Sequence, residues 1–153
     1  MTTSTLIEKL SAERIAYELL PHRHTETATA EARALGLSAD ETAKTVVLRA
    51  GDELVRAVIP ASARVDLVKA ERILGTPVEL VHEDVLAGAY PEFALGAVPP
   101  VGGPPDRVLV DRRVAGLEQV VFEAGTHEES VRLSTLDLMQ VADAIVVDLC
   151  ARS

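Results

Sequence analysis

The stretch Thr45-Val-Val-Leu-Arg-Ala-Gly-Asp-Glu-Leu-Val-Arg-Ala-Val-Ile-Pro60 decides the fold class. Two runs rich in β-branched side chains, residues 45–50 and 53–59, flank Gly51-Asp52, the two-residue spacing of a tight hairpin. Glycine in the first central position points to a type II′ turn, and Pro60, which has no amide hydrogen, closes the unit. Upstream, Thr5 with Glu8 has the capping-box pattern that opens a helix over residues 6–14, and residues 17–20 read as a short strand. Residues 28–35 form a second helix candidate stopped by Gly36, and Ser38 with Glu41 marks another short helical start that delivers the chain to Lys44. Downstream, Asp66 caps a helix to Leu74 with Gly75 as its stop, followed by a strand around 78–81 and an acidic helical turn from Glu83. Residues 107–111, 120–123 and 130–133 read as three more strands, Ser134 caps a helix through Val141, and residues 145–149 return as a final strand. The pattern is α+β, with six or so strands and several peripheral helices. Lacking internal repeats, it fits one domain spanning residues 1–153.

Composition narrows the function classes. Aliphatic side chains dominate the 48% hydrophobic content, since the chain has two Phe, two Tyr and no Trp. Fifteen basic against 24 acidic side chains leave a net charge of −9, which argues against a protein that wraps a long nucleic-acid backbone. A small basic mouth could still be assembled from His22, Arg23, His24, Lys44, Arg64 and Lys69, or these could be scattered surface charges. The single cysteine, Cys150, excludes an internal disulfide and a cysteine metal cluster. No signal-like segment or membrane-length apolar run is present, so a cytoplasmic location and no membrane or DNA partner are expected.

The chain has no Gly-x-Ser-x-Gly elbow, no phosphate-binding Gly-Lys-Ser/Thr loop, no dinucleotide glycine fingerprint and no His-Glu-x-x-His pair. His22 and His24 could in principle share a metal, but without a third ligand no metal is expected. The most informative local feature is Gly96-Ala97-Val98-Pro99-Pro100, where glycine permits unusual dihedrals and two prolines fix φ and remove two amide donors. Only Gly96, Ala97 and Val98 can offer N–H groups there, a suitable device for holding a carbonyl or an incipient oxyanion, although a rigid surface turn would look the same. Lys44 stands immediately before an apolar strand, either to neutralise a phosphate or oxyanion or simply to reach water from a strand end. His127, in the turn Gly125-Thr126-His127, could be an acid/base group, a ribose contact or an exposed turn residue, and Asp66, Asp111 and Glu123 are ambiguous in the same way.

Read in order, these pieces resemble the YbaK/ProX-like family, the stand-alone relatives of the editing domain inserted in bacterial prolyl-tRNA synthetase. The resemblance runs through His22-x-x-Thr25-x-Thr27, Ala43-Lys44-Thr45-Val46-Val47, Ile59-Pro60 with Val65-Asp66-Leu67, and Glu92-Phe93-x-Leu95-Gly96-Ala97-Val98-Pro99-Pro100-x-Gly102. Val110-Asp111 and Phe122-x-Ala124-Gly125-Thr126-His127-x-Glu129 complete it. Arg23 departs from the proline that relatives often carry after the first histidine.

The resemblance implies a mixed, barrel-like sheet of about six or seven strands surrounded by helices. It also implies a trans-editing deacylase that hydrolyses the ester of a tRNA mischarged with a small amino acid of the alanine, serine or cysteine class. Lys44 and the loop from Gly96 to Pro100 would shape the pocket, with the Ala97 and Val98 amides on the ester carbonyl. His22, Thr25, Thr27, Gly125, Thr126 and His127 would contact substrate. No cofactor is expected. The partners would be the aminoacylated 3′ end of tRNA and, for affinity, a synthetase or elongation factor. The alternative is a non-catalytic tRNA- or synthetase-binding module of the same fold.

Overall fold

The computed structural model of the chain describes residues 4–152. Its elements are α1 (Ser4–Ala12), β1 (Tyr17–Pro21), α2 (Ala28–Ala34), β2 (Ala43–Ala50), β3 (Glu53–Pro60), α3 (Leu67–Leu74) and β4 (Val78–Leu80), followed by α4 (Glu83–Ala89), β5 (Arg107–Asp111), α5 (Arg112–Ala115), β6 (Gln119–Glu123), β7 (Glu129–Ser134), α6 (Thr135–Val141) and β8 (Ile145–Val147). The hairpin read from the sequence is the centre of the larger sheet. Its strands pair in full register from Ala43 opposite Pro60 to Ala50 opposite Glu53. Gly51 takes φ 63° while Asp52 stays at negative φ, as a type II′ turn requires.

The strands form two sheets, β4-β2-β3-β5-β8 and β1-β7-β6. The smaller sheet is antiparallel, whereas β3, β5 and β8 run parallel. A parallel β3–β5 pair needs a long crossover, and the chain between them supplies it as α3, β4, α4 and the Gly/Pro-rich loop. The mixed α+β class agrees with expectation, but the barrel does not close. Among the described residues the eight strands stay in two sheets whose edges are linked by one backbone bridge, Thr42 beside Val121.

Both faces of the five-stranded sheet are covered, which explains why β3 reads as a nearly continuous apolar run. On one face Val58, Val108 and Val110 meet Val120, Phe122, Val131 and Leu133 of the smaller sheet, with Leu6 and Leu10 of α1 and Leu138 of α6. On the other, Leu48, Val55, Ala57, Ile59 and Leu109 pack with Ala70 of α3 and Leu149. A third cluster joins Val47 of β2 to Tyr90, Phe93 and Val98.

Local departures have local causes. The first helix starts at Ser4, so Thr5 lies inside it with a buried, unpartnered hydroxyl instead of capping it. It ends at Ala12, and Arg14 at φ 58° reverses the chain. Residues 38–41 form a turn, closed by the Ser38 amide donating to the Glu41 carboxylate (3.0 Å) and the Glu41 amide to the Ser38 carbonyl (3.1 Å), which needs no helix to continue. Ser134 stands at the N-cap of α6 without a side-chain bond. Replacing Leu138, fully buried on α6, by alanine should cost about 2–5 kcal/mol of stability in urea denaturation, because the cavity lies where the two sheets meet.

Candidate functional site

The outer edge of β2 has two different neighbours. Val121 of β6 bridges Thr42 at its start, and β4 pairs with Leu48, Arg49 and Ala50 at its end. Among the described residues no strand covers the interval between, so the edge-facing backbone groups of Thr45 and Val47 have no ladder partner there. The 96–98 segment lies along this gap. Lys44, Gly96, Ala97 and Val98 wall one cleft together with Ala28, Ala43, Thr45, Phe122 and Glu123. The cleft is tight, with a volume of about 10 Å³, room for a single water. It adjoins an apolar groove of about 240 Å³ that shares Thr45, Gly96 and Val98 and adds Val46, Val47, Leu80, Val81 and Leu86.

Alternation along β2 sends Val46 and Leu48 into the cluster under α3 and Val47 into the cluster with Val98. Lys44 therefore falls on the α3 side, where Cys150 acts on its charge, and lines the cleft from the strand edge, while Thr45 faces the loop. Burial pushes the Lys44 pKa down, and the ammonium takes part in none of the ion pairs among the described residues. Thr45, which motif reading passed over, has a buried hydroxyl without a partner in the wall common to cleft and groove. Alternation along the strand places it on the same side as Val47, which packs with Val98 of the loop.

In the 96–100 loop, Gly96 takes φ 84°, a backbone state that disfavours a side chain. The Ala97 amide donates to the Ala94 carbonyl (2.9 Å), which removes it from the oxyanion donors expected from the sequence. The amides of Gly96 and Val98 have no acceptor among the described residues. Pro100 does not line the cleft. It borders a broad groove behind the loop.

That rear side is held by Arg56, 1% exposed in the middle of β3. Its guanidinium donates to the carbonyls of Pro99 (2.8 Å), Gly102 (2.6 Å) and Pro104 (3.0 Å) and to Asp106 (3.1 Å), and lies 5.0 Å from the centre of the Tyr90 ring. The Tyr90 hydroxyl donates to the same Asp106 carboxylate (2.5 Å). A proline-rich loop has carbonyls in excess of amides, and a forked cation with five donors suits it. The sequence signal was an arginine inside an apolar strand. Arg56→Lys keeps the charge but cannot serve these acceptors at once. It should lose about 3 kcal/mol or more in denaturation and speed amide exchange at Ala97.

The turn between β6 and β7 is the junction of the site. Gly125 accepts from the Ala94 amide (2.7 Å), and the His127 carbonyl accepts from the Thr25 amide (3.1 Å). His127, 7% exposed, donates from Nε2 to the Leu95 carbonyl (2.6 Å), and its Nδ1 faces Glu123 Oε2 at 3.0 Å. Neither ring nitrogen is left open for substrate in this conformation. The Thr126 hydroxyl accepts from the Glu128 amide (3.4 Å), and the Thr27 hydroxyl caps α2 by accepting from the Ala30 amide (3.1 Å). Asp66 and Asp111 are also helix caps, Asp111 accepting the Arg113 and Leu149 amides while fully enclosed. Of the three ambiguous acids, Glu123 alone borders the cleft.

His22 and His24 enter separate networks. His24 lies between Glu26 (2.7 Å) and Glu128 (2.6 Å), which raise its pKa. His22 donates from Nδ1 to the Arg23 carbonyl (2.6 Å) and meets the Ser130 hydroxyl at Nε2 (3.0 Å). Ser130 in turn hydrogen-bonds Glu31, a fully buried carboxyl on α2. Of the two readings of the candidate cations, Lys69 fits the scattered one, held by Asp148 (3.0 Å) and the Cys150 carbonyl (2.8 Å).

The model of the aminoacyl-tRNA editing domain family matches residues 22–141, which takes in α2 through α6 and every wall of the cleft. The chain belongs to the aminoacyl-tRNA editing domain family. This editing domain is similar over 99% of its length to 98% of a crystallised chain proposed to be a trans-editing enzyme for prolyl tRNA synthetase, with 25% identity and a TM-score of 0.86. A crystallised hypothetical protein matches at 25% identity and TM-score 0.89, covering 96% of this chain and 99% of that one. A protein from Marinobacter aquaeolei VT8, proposed to act in signal transduction, carries the same fold in a third of its length (15% identity, TM-score 0.75, 97% of this chain and 31% of that one). Among curated proteins none matches the chain. No helix among the described residues is long and apolar enough to cross a membrane.

Desolvation lifts the Glu31 carboxyl to about 8, the Ser130 bond opposing that and Glu123 adding to it. A folded-state value above the unfolded one means that Glu31 favours folding below about pH 4.5, and that this contribution is lost as pH rises towards 8. The melting temperature should therefore fall between pH 5 and pH 8.5. Glu31→Gln, with no charge to bury, should flatten that fall and be the more stable form at the upper end.

Proposed function

We propose that this editing domain, acting as one unit over residues 1–153, is a trans-editing deacylase. It would hydrolyse the ester between a small amino acid, of the alanine, serine or cysteine class, and the 3′ end of a mischarged tRNA. The observation that carries the reading is the shared cleft: Lys44 and the amide-bearing glycine loop, far apart in sequence, wall one site on an unpaired strand edge.

The terminal ribose ester would lie along the Thr45 to Val47 edge, with the Gly96 and Val98 amides on its carbonyl oxygen. Water adds to that carbonyl, the oxyanion forms against the amides, and the 3′ oxygen leaves with a proton to give free amino acid and uncharged tRNA. The Lys44 ammonium would attract the terminal phosphate or the developing oxyanion, more strongly for being half-buried. No Ser-His-Asp set stands in the cleft, so the substrate's own 2′-hydroxyl is the natural group to orient the water. Gly125 and His127 support the loop from beneath and Thr25 holds their turn, with His22, Thr27 and Thr126 more peripheral.

The need for such an enzyme follows from binding arithmetic. A synthetase pocket rejects a smaller or isosteric amino acid by about 1–3 kcal/mol, too little for faithful charging, and a second sieve removes the errors. A tight cleft with an aliphatic groove beside it suits a small side chain. With a net charge of −9 the body would grip little more than the acceptor end, which leaves room for a synthetase or elongation factor to supply affinity.

Deacylation should be measured across a panel of mischarged tRNAs. Activity should appear on alanyl, seryl or cysteinyl esters, and Lys44→Ala and Gly96→Ala should each lower kcat/KM by roughly 10–100-fold. Inactivity of the wild type across the whole panel would favour a non-catalytic tRNA- or synthetase-binding module.

A further inference from the structure

We propose that Glu123 is a positioning residue that acts through His127, keeping the imidazole in the tautomer and orientation whose Nε2–H holds the Leu95 carbonyl and so fixes the 96–98 segment against the Lys44 cleft.

The argument is one of proton counting. A carbonyl oxygen only accepts, so the 2.6 Å contact between Nε2 and Leu95 requires a proton on Nε2. Nδ1 then faces Glu123 Oε2 at 3.0 Å, with both side chains enclosed. One further proton must sit between them. Either the neutral carboxyl donates its O–H to Nδ1, or the imidazolium donates from Nδ1 to the carboxylate, and both states hold the ring. If that proton is taken by hydroxide, giving water, two arrangements remain. A carboxylate faces the Nδ1 lone pair, or the ring moves its proton to Nδ1 and turns the Nε2 lone pair on the Leu95 carbonyl. The first repels Glu123 and the second releases the loop.

The contact bears directly on the catalytic segment. Leu95 precedes Gly96, and a side-chain carbon placed on Gly96 would lie 3.6 Å from His127 Cε1, so the imidazole is the surface on which Gly96 rests. The loop has a second tie, the Ala94 amide on the Gly125 carbonyl (2.7 Å), so loss of the histidine contact re-aims residues 95–98 without unfolding them.

The other charged groups around Glu123 come from each neighbouring element. His24 and Glu26 approach from the β1–α2 loop, Glu31 from α2, and Lys44 stands in the same cleft wall on β2. The His24 nitrogens are occupied by Glu26 and Glu128, so His24 offers charge but no bond to the pair. Burial pushes the Glu123 carboxyl up, to about 7, against the pull of His127, so the shared proton is held in mildly acid solution and lost as pH rises through neutrality.

The test compares Glu123→Gln with Glu123→Ala. Glutamine can donate an amide N–H to Nδ1 at every pH, whereas alanine leaves Nδ1 unsupported. Ring ¹⁵N shifts of His127 and amide exchange at Val98, read by NMR from pH 6 to pH 9, do not depend on the deacylase reading. In the wild type the Nε2–H form should give way and the Val98 amide should exchange faster as pH rises. The alanine variant should show the loosened state throughout, and the glutamine variant should hold the Nε2–H form at every pH. In deacylation, which rests on the function proposed above, alanine should lower kcat by roughly 10–100-fold with KM less affected. Glutamine should recover most of that loss and flatten the alkaline limb. An unchanged His127 tautomer and Val98 exchange in Glu123→Ala, or a glutamine variant that rescues neither, would overturn the proposal. If the NMR response appears but no tRNA ester is cleaved, the clamp stands and the deacylase reading falls.

Discussion

The constraint on which the site depends is the interrupted pairing along one edge of β2. On its inner edge the strand is fully paired with β3. On its outer edge it is held at the start by Val121 and at the end by β4, and the residues between face a cleft instead of a strand. If the ring of strands closed, that edge would be covered and there would be nowhere for a substrate to lie. The open barrel is thus the condition for a site at this place, since exposed backbone groups and an adjacent glycine segment can be brought together only where a ladder stops.

An exposed edge and a loop short of amides cannot hold their own shape, so the structure braces them from two sides. Behind the loop, Arg56 collects three carbonyls that prolines and glycines leave without donors. Beneath it, His127 takes the Leu95 carbonyl, and Gly125 takes the Ala94 amide. Both braces bury ionisable groups, which is costly unless each is fully partnered. Arg56 meets this by using four of the five N–H groups of its fork. The Glu123 and His127 pair meets it by sharing a proton, and Glu31 by remaining a neutral carboxyl bonded to Ser130.

The charge distribution fits a protein that touches a nucleic acid at one point. Two of the cations that could have formed a continuous basic track are neutralised locally, His24 by Glu26 and Glu128 and Lys69 by Asp148. Lys44 is half-buried beside the cleft and outside the ion pairs of the described residues. An isolated, partly desolvated ammonium attracts one phosphate or oxyanion more strongly than a solvated surface lysine would.

The sequence by itself determined the elements whose causes are local. The β-branched runs around Gly51-Asp52 made the central hairpin, Asp66 and Gly75 bounded α3, and the order of short motifs from His22 to Glu129 pointed to the editing family. It also indicated Lys44 and the 96–100 loop, because an ammonium before an apolar strand and a glycine followed by two prolines are odd in composition alone. Only the tertiary structure decided which atoms of those residues are available. The Ala97 amide is taken by Ala94, three residues away yet invisible as a bond in sequence. Thr45 faces the loop because of strand alternation, and His127 is occupied on both nitrogens by groups that the β6–β7 turn and the loop bring to it. Arg56 and Glu31, which look like ordinary charges in a strand and a helix, become buried supports because their partners lie about 45 and 100 residues along the chain. Backbone propensity acts within a few residues and is therefore legible in order, whereas hydrogen-bond partnership depends on distances in space that folding alone sets.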